Sequence, residues 1–165
     1  MSVGDAFIAR VDAVETRLAA AAAAEPSPGA LSAADPESGE RWDRGQAWAH
    51  VAEFIPYWIM QAGPVLRGQP SGEPVPFGRT KSDPERIGTI ERDRREPVAV
   101  LWSDAREGIA TLRGFLAGMA AGQWGIRGLH PTRGAITVEE LVERFLVGHL
   151  EEHADQLEEM TAASV

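Results

Sequence analysis

Apolar residues recur every three to four positions in four long stretches of the chain, separated by runs rich in proline, glycine and serine. In residues 4–24 Phe7, Ile8, Val11, Val14 and Leu18 form one stripe ahead of six alanines, which favour helix but offer little to pack. A second helix is expected from Asp43, an N-cap with Gln46 at N3, to about Gly68. Its inner face carries Ala47, His50, Val51, Phe54, Tyr57 and Trp58, and Pro56 is expected to kink it. The third stretch, residues 98–121, places Val98, Leu101, Trp102, Ala105, Ile109, Leu112, Phe115, Leu116 and Met119 inward. The fourth, residues 137–160, opens on a Thr137–Glu140 capping box with Ile136 and Leu141 as a hydrophobic staple. Its apolar positions are Val138, Leu141, Val142, Phe145, Leu146, Leu150, Leu157 and Met160.

Between these lie two long connections. Residues 25–39 form a loop about as long as compact domains carry, expected either to move or to cover something. Residues 69–83 lead to Asp83-Pro84-Glu85, the cap of a short helix that ends before Pro97. No strand alternation and no internal repeat is visible. The expected fold is all-α, one four-helix bundle over residues 1–165. The long connection leaves helices two and three free to lie elsewhere than side by side.

Charge and composition narrow the function. A net charge of −9 argues against nucleic acid as a partner, and the arginines at 92, 94 and 95 are interleaved with Glu91, Asp93 and Glu96. With no cysteine, any metal must be held by histidine and carboxylates, and any thiol must arrive with a substrate. Asp5, Arg10, Asp12, Glu15 and Arg17 break up what a signal peptide would need, and no run approaches the roughly 20 apolar residues of a membrane span. The expectation is a cytoplasmic protein with no membrane partner.

Histidines give the chemistry. His149 and His153 are four residues apart on the apolar face of the last helix, so both rings point the same way one turn apart. His50 lies on the inner face of helix two. Three imidazoles converging between helices would leave open positions, the ligand count of a catalytic zinc site. The plainer alternative is core histidines satisfied by hydrogen bonds. His149-Leu-Glu-Glu152-His153 also fits the H-x-x-E-H pattern, which a short all-helical chain makes a poor peptidase signature. Glu53, one turn after His50, is a candidate proton acceptor or a holder of the His50 ring, against an ordinary boundary carboxylate. Glu152 and Asp155 invite the same reading. Arg79 is a candidate grip for an anionic cofactor or substrate group, against a plain surface position. His130, in a loop before Pro131, reads as a turn or surface residue. Trp48, Trp58 and Trp102 could line a pocket or simply fill the core.

Trp42 through His50-Val-Ala-Glu53, His130-Pro131-Thr-Arg-Gly134-Ala-Ile-Thr137-Val138 and His149-Leu-Glu-Glu-His153 together resemble the DinB/YfiT-like superfamily of small four-helix metalloproteins. The resemblance covers most of the chain from Trp42 onward. It implies an up-down-down-up bundle, and a divalent ion, commonly zinc or nickel, on His50, His149 and His153. It also implies a transferase activating a low-molecular-weight thiol such as mycothiol or bacillithiol toward a small electrophile, and a possible homodimer. A metal-dependent hydrolase at the same site, and a non-catalytic or stress-associated bundle with a vestigial site, are the alternatives.

Overall fold

The computed structural model describes residues 1–162. It is mostly helical, with a small three-stranded sheet. Helix α1 (Val3–Ala23) starts in a capping box in which Ser2 Oγ accepts from Asp5 N while Asp5 accepts from Ser2 N. Its C-terminal carbonyls would otherwise lack partners; Arg44 Nη2 donates to Ala21 O (2.7 Å) and Ala24 O (2.9 Å). Helix α2 (Arg44–Arg67) has the expected Asp43–Gln46 capping box and runs on as one helix through Pro56 and Pro64. Helix α3 (Pro84–Asp93) is capped by Asp83, with proline in its first turn. Helix α4 (Val98–Gly118) stops a few residues earlier than its apolar pattern suggested.

The last helical rod is not uniform. It consists of α5 (Val138–Val142), a π-helical turn (Glu143–Val147) and α6 (Gly148–Ala162). The Thr137–Glu140 capping box opens it as expected. Helix α1 packs against α4 and α6, and α2 packs against α4, α3 and α6. Between them lie Val11, Leu18, Phe54, Ile55, Ile109, Leu112, Leu146, Leu150 and Leu157, all essentially without solvent contact. Each such side chain is worth roughly 1.5–3 kcal/mol on leaving water, which makes this seam the main favourable term in folding.

The sheet corrects the expectation of a strand-free chain. Strand β1 (Val75–Pro76) pairs parallel with β2 (Arg127–His130), which pairs antiparallel with β3 (Gly134–Thr137). Strands of two to four residues are too short to display alternation. In β2 the inward positions are Gly128 and His130, which carry no apolar signal. Gly128 is there because Phe77 passes over it: a Cβ would sit 2.6 Å from the Phe77 ring. No helix among the described residues is long and apolar enough to cross a membrane.

Candidate metal centre

Helix α2 presents His50 to α6, which presents His149 and His153 one turn apart. The three Nε2 atoms meet. His149 Nε2 lies 3.0 Å from His50 Nε2 and 3.2 Å from His153 Nε2. Two nitrogens bound about 2.0–2.1 Å from a tetrahedral zinc lie roughly 3.3 Å apart, so the rings need little adjustment to share an ion. Among the described residues this is the group of histidines and carboxylates that could hold a metal. His50 and His153 are buried, whereas the His149 side chain is 27 % exposed.

The other ring nitrogens explain which way the lone pairs face. His50 Nδ1 lies 2.7 Å from Glu53 Oε1, His149 Nδ1 3.1 Å from Glu152 Oε2 and His153 Nδ1 2.8 Å from Gln156 Oε1. Each partner sits three residues after its histidine. An acceptor at Nδ1 draws the proton there and leaves Nε2 as a lone pair. Burial, followed by the neighbouring imidazoles, pushes His50 well below its usual value, and burial pushes His153 down to about 3. Both rings are therefore neutral at pH 7. With Nδ1 of each ring turned to its acceptor, the three Nε2 atoms face a common point where a cation could take their lone pairs. The donor set fits a divalent ion.

Glu53 is fixed in turn. Arg79 Nη2 donates to Glu53 Oε1 (2.7 Å) and Oε2 (2.5 Å), and its guanidinium carbon lies 3.7 Å from the centre of the Tyr57 ring. Burial raises the Glu53 carboxyl while the Arg79 hydrogen bonds pull it down. Both side chains are only 9 % exposed. Of the roles considered for Glu53, its Oε1 takes up the one of holding the His50 ring. Arg79 is not a plain surface position: it is nearly buried and its Nη2 donates to Glu53. Asp155 serves elsewhere, pairing with Arg17 of α1.

Above the histidines is a cavity of about 650 Å³. Its roof is the loop of residues 32–40, its side wall α3 with Ile87 and Ile90, and its floor His50, His149 and His153. The long loop thus covers the site. It is held by Ser32 N donating to Trp42 O (2.8 Å), Trp42 N donating to Ser32 Oγ (2.9 Å), and Lys81 reaching Asp35 (2.9 Å) and Glu37 (3.3 Å). Trp42 closes one side, edge-on to His50 at 5.2 Å and parallel to His153 at 6.2 Å between ring centres.

The tryptophans and histidine considered as alternatives fall elsewhere. Trp48 and Trp102 meet edge to face at 5.8 Å, and Trp58 stacks on Phe145 at 4.2 Å; none of the three lines the cavity. His130 is buried, not a surface residue, with its ring on Phe145 at 4.8 Å. Its turn role is real: Thr132 N donates to His130 Nδ1 at 3.3 Å inside the β2–β3 hairpin. The sequence reading missed Gln156 and Arg86. An acceptor three residues after each histidine was visible in the sequence and marks Gln156; nothing local marks Arg86.

A mostly helical chain with a three-histidine pocket roofed by a loop is the class that fold and site define. Comparison with known protein families, with curated proteins and with solved structures finds no match to this chain.

Proposed function

We propose that the chain is a four-helix bundle of the DinB/YfiT-like kind, running up-down-down-up, and that it is a metal-dependent transferase using a low-molecular-weight thiol. The observation that carries this reading is the convergence of three Nε2 lone pairs on the floor of a cavity, each ring braced at Nδ1 by a carboxylate or amide oxygen. The ring of contacts α1–α4–α2–α6 supports the bundle.

His50, His149 and His153 would hold zinc or nickel, ions that suit imidazole ligands. When bound, such an ion acts as a Lewis acid and lowers the pKa of a thiol entering from the cavity, giving a nucleophile at neutral pH. The chain supplies the rest. Glu53 and Gln156 hold the buried rings with Nε2 forward, and Arg79 holds Glu53. Trp42, Ile87 and Ile90 offer apolar wall to a small electrophile, and the 32–40 roof limits water. Glu152, on His149 and at the cavity edge, is the carboxylate placed to take a proton leaving the cavity.

Two measurements test this. Protein purified without an affinity tag should contain about one zinc or nickel ion per chain, lost in His149→Ala. Metal-loaded protein should accelerate conjugation of a low-molecular-weight thiol to a reactive electrophile, read by mass detection of the adduct. A metal-loaded protein that leaves every such thiol at its uncatalysed rate rules out the transferase.

A further inference from the structure

Lys81 and Arg86 line the cavity, and they differ in what holds them. Lys81 pairs with Asp35 and Glu37. Arg86, on α3, donates Nη1 to Lys81 O at 2.9 Å and makes no ion pair with a carboxylate among the described residues. Its guanidinium lies over Trp42, 5.4 Å from the ring centre, and Trp42 lies parallel to His153. Trp42 thus neighbours both Arg86 on the α3 wall and His153 on the floor. Burial pushes the Arg86 guanidinium below its usual value, against the opposing pull of Glu53, Glu40 and Asp83, none of which it meets in an ion pair.

The acidic residues around the cavity are mostly engaged. Asp35 holds Lys81, Glu91 accepts from Arg94 and Gln46, Glu152 accepts from His149, and Asp155 pairs with Arg17. An arginine fork with free donors at a half-dry wall is suited to a planar, bidentate anion. Glu40 and Glu159, which also line the cavity, add negative charge that disfavours a doubly charged phosphate more than a singly charged carboxylate.

We infer that the cavity takes a small carboxylate-bearing molecule, with its carboxylate on Arg86 and its other end facing His50, His149 and His153. This deepens the proposed function by giving the thiol or its electrophile an acidic group, and it rests on that reading only for what happens at the histidine end.

The carboxylate is tested first in metal-free protein. Propionate should shift the Arg86 Nε–Hε resonance saturably in nitrogen-15 spectra, and with it the indole N–H resonance of neighbouring Trp42, which reads binding in the variants as well. Arg86→Gln should abolish propionate binding and Arg86→Lys should retain part of it. No saturable shift, equal binding by Arg86→Gln, or a response to inorganic phosphate without one to propionate overturns the inference. The histidine end is tested in cobalt-loaded protein, where thiol binding is read by its charge-transfer absorption. A charge-assisted pair of hydrogen bonds should favour 3-mercaptopropionate over 2-mercaptoethanol by about tenfold or more. Arg86→Gln should erase that preference and leave 2-mercaptoethanol unchanged. Equal affinities in the parent protein contradict the inference, whereas failure to take up cobalt sinks the proposed function and leaves the propionate result to decide this one.

Discussion

At the scale of single residues the site is a set of oriented rings, and its metal affinity should depend on what orients them. Glu53→Gln replaces an anionic acceptor at His50 Nδ1 by an amide that can present either end, and it loosens Arg79 as well. Loss of such a partner typically lowers metal affinity roughly 10–100-fold, which a competition titration with a coloured chelator will read. Asp155→Ala, close in sequence to His153 but bonded to Arg17, should leave that affinity unchanged. Equal losses in the two variants would remove the case for Glu53 as a positioning residue. Much of this was legible in advance. His149 and His153 declare themselves by helical spacing on an apolar face, and His50 by its place among Ala47, Val51 and Phe54. Arg79 was not legible, because an arginine in a glycine- and proline-rich loop looks the same whether it meets water or is drawn back onto Glu53. Arg86 sits in a helix in which half the residues are charged, and only the fold turns it to the cavity.

At the scale of elements, the π turn decides how the last rod faces its neighbours. One extra residue turns the following helix by about 100° relative to the preceding one. The buried pairs Leu141–Val142 and Leu146–Val147 are five residues apart, the spacing of a π turn, and α6 then proceeds with His149 and His153 toward α2. A uniform helical period hides this feature when the sequence is read by itself. Gly148 makes it possible: a Cβ there would lie 2.4 Å from Glu143 O. Gly148→Ala should therefore cost stability on the order of 1–3 kcal/mol, the usual scale of overpacking, and lower metal content more than a comparably destabilising change in α4. Unfolding curves and elemental analysis on the same samples check both parts.

The same rod is tied to α1 by charge. Arg10 bonds Glu143 and Glu151, and Arg17 bonds Glu158 and Asp155. Arg10 holds Glu143, and Arg17 holds Glu158, below the usual carboxylate range. A carboxyl depressed in the folded state stabilises it above the unfolded pKa, and that contribution is lost as pH falls through the folded value. The melting temperature of metal-free protein should thus exceed that of Arg17→Ala at neutral pH, by a small margin expected of exposed pairs. The difference should shrink between about pH 5 and pH 3. A difference that grows on acidification contradicts the assignment.

On the scale of the whole molecule, the loop of residues 32–40, α3 and the histidine floor form one enclosure. The length of that loop was readable from its proline and glycine content, and so was the expectation that it covers something. What it covers depends on α2 and α6 meeting, which no local pattern states. A ligand that binds only the folded state raises its stability by about 2.7 kcal/mol at 100 times its dissociation constant. Zinc should then raise the melting temperature by roughly 5–10 °C for a chain of this size, and not in His50→Ala.

The most direct measurement is X-ray absorption at the metal edge of the loaded protein. Three imidazoles sharing one ion predict nitrogen scatterers at about 2.0–2.1 Å with the outer-shell pattern of three histidine rings, a pattern that His50→Ala should lose. A shell of oxygens without imidazole, or a spectrum indifferent to His50, would contradict the account.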